Sequence, residues 1–143
     1  MSVNFYISPY NRLIPETLNY QNKNINELKI NFEDYRNAIL THWPLTKVEM
    51  PPKSDGLPAL CHWILPSQLE GFSGLRVALL LNLQVVVFGT GPKKVFLEFI
   101  LWHRNFVPAN YPLFLFNSSS TDSLKLKNDV KEQDIVDFTG IID

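Results

Sequence analysis

The residues with the most chemistry in their spacing lie where an apolar run meets two glycines and two lysines: Val85-Val86-Val87-Phe88-Gly89-Thr90-Gly91-Pro92-Lys93-Lys94. Glycine lets backbone N–H groups come close to a ligand, and the first turn of a helix carries unpaired N–H groups and partial positive charge. An anion such as a phosphate is the ligand this arrangement would take, with Lys93 and Lys94 beside it. The segment lacks the spacing of a P-loop and the third glycine of a dinucleotide fingerprint, and Pro92 removes one donor. A tight strand-to-helix turn without a ligand accounts for the same residues. A second polar group, Asn117-Ser118-Ser119-Ser120-Thr121-Asp122, follows another apolar run. Ligands of open α/β sheets gather beyond the carboxyl ends of strands, so Ser118, Ser119 and Ser120 join Gly89, Thr90, Gly91, Lys93 and Lys94 as the expected anion site. A polar turn whose Ser and Asp side chains bond their own backbone is the competing reading.

All three histidines stand next to tryptophans, as His42-Trp43, His62-Trp63 and Trp102-His103. Neutral imidazoles suit zinc, but no two of them have the helical spacing that would place them on one face, so no metal site is expected. Cys61-His62 has the residue types of a nucleophile and its base. Neighbours on a strand point to opposite faces, however, and an inert buried thiol is the expected state of Cys61. Asp129, Glu132, Asp134 and Asp137 form an acidic run that reads as a solvated helix face or as a surface for a basic partner. No complete set of nucleophile, base and oxyanion donors emerges, no cofactor motif is complete, and none is expected.

The elements that must hold these residues follow from periodicity and punctuation. Val3, Phe5 and Ile7 alternate with polar neighbours as a strand ended by Ser8-Pro9. The asparagine-rich tract Tyr10 to Glu27 has no period and reads as a long surface loop. Asn31 is placed to cap a helix from Phe32 to His42 that Pro44 stops. Two short strands fit Lys47 to Met50 and Leu60 to Leu65, among prolines that cannot donate to a ladder. Leu75 to Leu81 and Gln84 to Thr90 read as two buried strands joined by a tight hairpin. Proline at the first helical position opens a helix from Pro92 to Phe106 that is apolar around most of its circumference. A strand follows at Leu113 to Phe116, completing a βαβ unit with the strand before the helix. A short strand covers Ser123 to Lys127, and Asp129 with Glu132 resembles a capping box opening a last helix that Gly140 ends.

These elements predict an α+β fold in a single globular domain spanning residues 1–143. They place a mixed sheet of about six strands with the buried helix 92–106 in its βαβ unit, two flanking helices, and the loop 10–27 outside. The chain has 143 residues, 45% apolar and 13% aromatic, which suffices for one core. Thirteen basic and fourteen acidic residues give a net charge of −1, which argues against nucleic acid and anionic membranes as partners. One cysteine, no signal-like amino end and no spanning apolar stretch predict a soluble protein of the cytoplasm. The expected function is a non-enzymatic protein-binding or regulatory module with a protein partner, by analogy antitoxin-like or immunity-like. The alternative is a small enzyme or sensor that binds an anionic metabolite at 89–94 and 117–122. The sequence leaves the oligomeric state open.

Overall fold

The computed structural model describes residues 4–10, 28–49, 59–66, 74–80, 83–89, 91–117 and 122–141, the side chains of residues 49 and 59–61 excepted. The alternation near the amino end becomes β1 (Phe5–Ser8), with Phe5 and Ile7 buried on one face. Helix α1 (Phe32–His42) begins where the asparagine stands: Asn31 Oδ1 accepts the Asp34 N–H at 3.0 Å, and Glu33 and Asp34 put negative charge at the positive helix end. Tyr35 and Ile39 form its buried stripe, and the Trp43 N–H closes it on the Ile39 carbonyl just before Pro44.

Four strands follow, β2 (Lys47–Glu49), β3 (Ala59–Leu65), β4 (Leu75–Leu80) and β5 (Val86–Phe88), each antiparallel to the next. Gly74 introduces β4 so close to β3 that a Cβ there would collide with the Leu65 carbonyl. Between β4 and β5 the Leu83 N–H returns to the Leu80 carbonyl at 3.0 Å, with Leu83 itself at a φ of 59°. This is the expected hairpin, and its ends secure an upstream segment. Ile30 donates to the Leu83 carbonyl at 2.7 Å, and buried Gln84 donates to the Leu28 carbonyl at 2.8 Å.

Helix α2 (Lys93–Phe106) starts one residue later than the sequence predicts, because Pro92, extended at ψ 139°, is its cap and only its carbonyl joins the helix. The chain then runs through β6 (Phe114–Asn117) and β7 (Ser123–Lys125) to helix α3 (Glu132–Thr139). The capping interaction at α3 lies two residues beyond the expected Asp129 and Glu132: the Lys131 N–H donates to the Asp134 carboxylate at 3.0 Å. Gly140 ends this helix at φ 70°, where a side chain would be strained.

Among the described residues the sheet has seven strands, where the sequence predicts about six, in the order β2-β3-β4-β5-β1-β6-β7. The fold is α+β as predicted, but every neighbouring pair is antiparallel, so the sheet is not mixed. The reason is β1, which is antiparallel to both β5 and β6 and lies between them. Strands β5 and β6 are therefore parallel to one another but not adjacent, and the βαβ unit is split by the first strand. One face of the sheet presents Phe5, Ile7, Trp63, Leu65, Leu75, Val77, Leu79, Val86, Phe88 and Leu115, all buried. Helix α2 seats Phe96 against Phe5 at 5.1 Å and Phe99 against Phe88 at 5.1 Å between ring centroids, while α1 seats Tyr35 against Trp63 at 5.6 Å. The tract 11–27 lies outside the described residues.

Phe96, Phe99 and Ile100 are fully buried. Phe99→Ala removes a ring packed against Phe88, Trp43 and Trp102 and is expected to cost about 3–5 kcal/mol in urea denaturation. Asn31→Ala leaves the Asp34 N–H uncapped and is expected to cost about 0.5–2 kcal/mol in the same measurement.

Candidate functional site

The register fixes where the expected anion site lies. Phe5 of β1 stands opposite Phe88 on one side and Asn117 on the other, so β5 and β6 end at one edge of the sheet. The described parts of both strands end there, at Phe88 and Asn117, about two strand spacings or ~9–10 Å apart. Thr90, Ser118, Ser119 and Ser120 lie outside the described residues. Just after β5, the Gly89 N–H donates to the Arg76 carbonyl at 3.3 Å, and neither Gly89 nor Gly91 takes a positive φ. Gly91 is needed for packing, since a Cβ there would press on Leu75 at 3.2–3.3 Å. Lys93 is half-buried and Lys94 exposed. The donors nearest an anion here are the N–H groups of the first turn of α2, which intrahelical bonds do not use.

The histidines occupy three separate places. His103, on α2, is fully buried and shares a 2.8 Å hydrogen bond between its Nδ1 and the Tyr35 hydroxyl of α1. Burial, and then the positive charge of neighbouring Arg104, lowers its pKa to about 3, so the ring is neutral. Burial likewise raises the Tyr35 phenol well above its ordinary range, and the pair is a neutral bond inside an aromatic cage of Trp63, Trp102 and Phe106. Nε2 of His103 has no partner.

His42, at the end of α1, bonds Glu98 of α2 at 2.7 Å on the surface, with its ring against Trp43. A carboxylate that holds an imidazole is the orienting half of a general-base pair, and the sequence reading missed it because the partners are far apart in the chain. The rings packed against His42 are the indoles of Trp43 and Trp102, which offer no nucleophile. His62 stands opposite Ala78, while buried Trp63 stands opposite Val77 on the helix-covered face. Cys61 and His62 occupy successive register positions, and the Cys61 side chain lies outside the described residues. Among the described residues no group of three or more His, Cys, Asp or Glu is placed to hold a metal ion.

The far edge of the sheet has a different character. Strand β2 has one neighbour among the described residues, and beside it Leu45 is 79% and Val48 47% exposed. These are the large apolar side chains left in solvent among the described residues. Leu45 lies in the α1–β2 connection, and Val48 sits opposite Trp63, beyond the reach of the helices that cover it.

No protein-family model, no curated protein and no solved structure matches this chain. Its class is set by its own geometry: an α+β protein with an antiparallel sheet and a split βαβ crossover. No helix among the described residues is long and apolar enough to cross a membrane.

His103 gives the fold a pH dependence of definite sign. Its folded pKa lies below the unfolded value, so the unfolded chain binds the extra proton, and stability falls as pH drops from about 6.5 toward about 3. The slope approaches about 1.4 kcal/mol per pH unit. His103→Leu is expected to flatten this arm in urea titrations, while costing about 1–3 kcal/mol at neutral pH because the Tyr35 hydroxyl is orphaned. Adding Tyr35→Phe should recover part of that loss.

Proposed function

We propose that this protein is a non-enzymatic protein-binding module of regulatory type, and that the β2 edge is its contact surface. The observation that supports this reading is the coincidence of a terminal sheet strand with exposed Leu45 and Val48. An edge strand offers unpaired backbone donors and acceptors, and flanking apolar side chains supply pockets or knobs, which is how strand addition combines affinity with specificity. Lys47 on the same strand limits indiscriminate edge pairing, as charged residues on natural edges do. The buried His103–Tyr35 bond and the Arg104 contacts serve the frame on which that edge is carried. We place this activity in the cytoplasm, where a chain with one cysteine needs no disulfide.

Leu45→Asp with Val48→Lys changes surface residues only and should alter stability by about 0.5 kcal/mol or less. In co-purification from the native cell with mass spectrometry, the parent should retain a stoichiometric protein partner that the double variant loses. Equal recovery by both, or no partner at stoichiometry, rejects the β2 edge.

A second reading is supported by the register that ends β5 and β6, at Phe88 and Asn117, on one edge: an anionic metabolite bound there. Lys93→Ala with Lys94→Ala would then abolish binding of phosphate or nucleotides in calorimetry while leaving the unfolding midpoint unchanged.

A further inference from the structure

The connection from α2 to β6 and the chain leaving β7 flank an open cleft of about 280 Å³. Its described walls carry Arg104, Lys125, Lys127, Asn110, Asn128 and Tyr111: three cations, two amides and a phenol, with no carboxylate. Arg104 is the buried member. Its Nη1 donates to the Leu126 carbonyl at 3.1 Å, and its Nη2 donates to the Val107 and Pro108 carbonyls at 3.2 and 3.0 Å. These bonds fix the guanidinium in place and tie the α2–β6 connection to the end of β7.

They do not neutralise it. Among the described residues no ion pair involves Arg104, Lys125 or Lys127, and the buried Nε of Arg104 has no hydrogen-bond partner. A buried cation without a counter-ion is costly, and two lysines border the same cleft, while their other side borders a neighbouring cleft that carries Asp129, Asp134 and Asp137. The site is distinct from the Gly89 turn, since Lys125 pairs with Phe114 at one end of β6 and Asn117 stands at the other.

We propose that this cleft binds a compact oxyanion, the phosphate or carboxylate group of a small metabolite, with Lys125 and Lys127 as charge partners and Arg104 as a fixed positive wall. Ammonium donors match both oxyanions, Arg104 adds positive charge while its Nη groups stay on the three carbonyls, and the amides of Asn110 and Asn128 can complete the donor set. The volume lies just under the roughly 300 Å³ at which pockets for drug-sized ligands begin, which suits a small anion better than a nucleotide.

Calorimetry of the full chain at low ionic strength, with inorganic phosphate and separately with succinate, tests this. Saturable heat with either ligand is expected, weakening with salt, and phosphate or succinate alone giving heat would assign the oxyanion. Lys125→Gln with Lys127→Gln should weaken binding about tenfold, the scale expected for two lost charge contacts. The anion should raise the unfolding midpoint of the parent and not of this variant. No heat with either ligand into the millimolar range overturns the proposal. So does unchanged affinity in the lysine variant, or loss of binding with Lys93→Ala and Lys94→Ala instead, which would put the anion at the Gly89 turn.

Discussion

The structure depends on the insertion of β1 between β5 and β6. Those two strands are joined through α2, which sets them parallel, and they are too far apart to share a ladder. β1 fills the gap and supplies both ladders, with Phe5 opposite Phe88 and Asn117. The same residue turns its ring onto Phe88 and Phe96, at centroid distances of 6.0 and 5.1 Å, so the strand that closes the sheet also seats the helix. Ladder hydrogen bonds and aromatic packing thus select one arrangement together, and neither alone would specify the strand order.

Helix α2 is the second point of convergence. Its sheet side carries Phe96 and Phe99, another side brings Trp102 and His103 to Tyr35 of α1, and its last turn places Arg104 on three backbone carbonyls. A helix apolar nearly all round would be unstable in water on its own. Here the rest of the chain wraps it, and the polar groups it buries have specific partners. The exceptions are single atoms, Nε2 of His103 and Nε of Arg104. Leaving such atoms unpaired is an energetic cost that the surrounding packing must offset.

The structure therefore divides by region. The helix-covered core absorbs His103 and Tyr35 into the frame, and the surface His42–Glu98 pair joins α1 to α2. Two outward features stand at the margins of the described residues: strand β2 with exposed Leu45 and Val48, and, beside β7, an open cleft lined by Arg104, Lys125 and Lys127. The sheet holds them at opposite margins.

Local signals in the sequence determined the local elements. Asn31, Pro44 and the spacing of Tyr35 and Ile39 bound α1 correctly, and Gly140 marked the end of α3, because capping and proline sterics act within a turn of chain. Alternation at Phe5 and Ile7 identified β1 and its buried face. Only the tertiary structure decided where β1 goes, and with it that the sheet is antiparallel. The placement of the candidate residues was legible in part. The shared edge at which β5 and β6 end follows from the crossover, which the sequence suggests. The bond between His103 and Tyr35, 68 residues apart, and the meeting of Arg104 with Lys125 and Lys127 carry no local signature. Periodicity reports which face a residue occupies, whereas its partner is chosen by packing between elements that are distant in sequence.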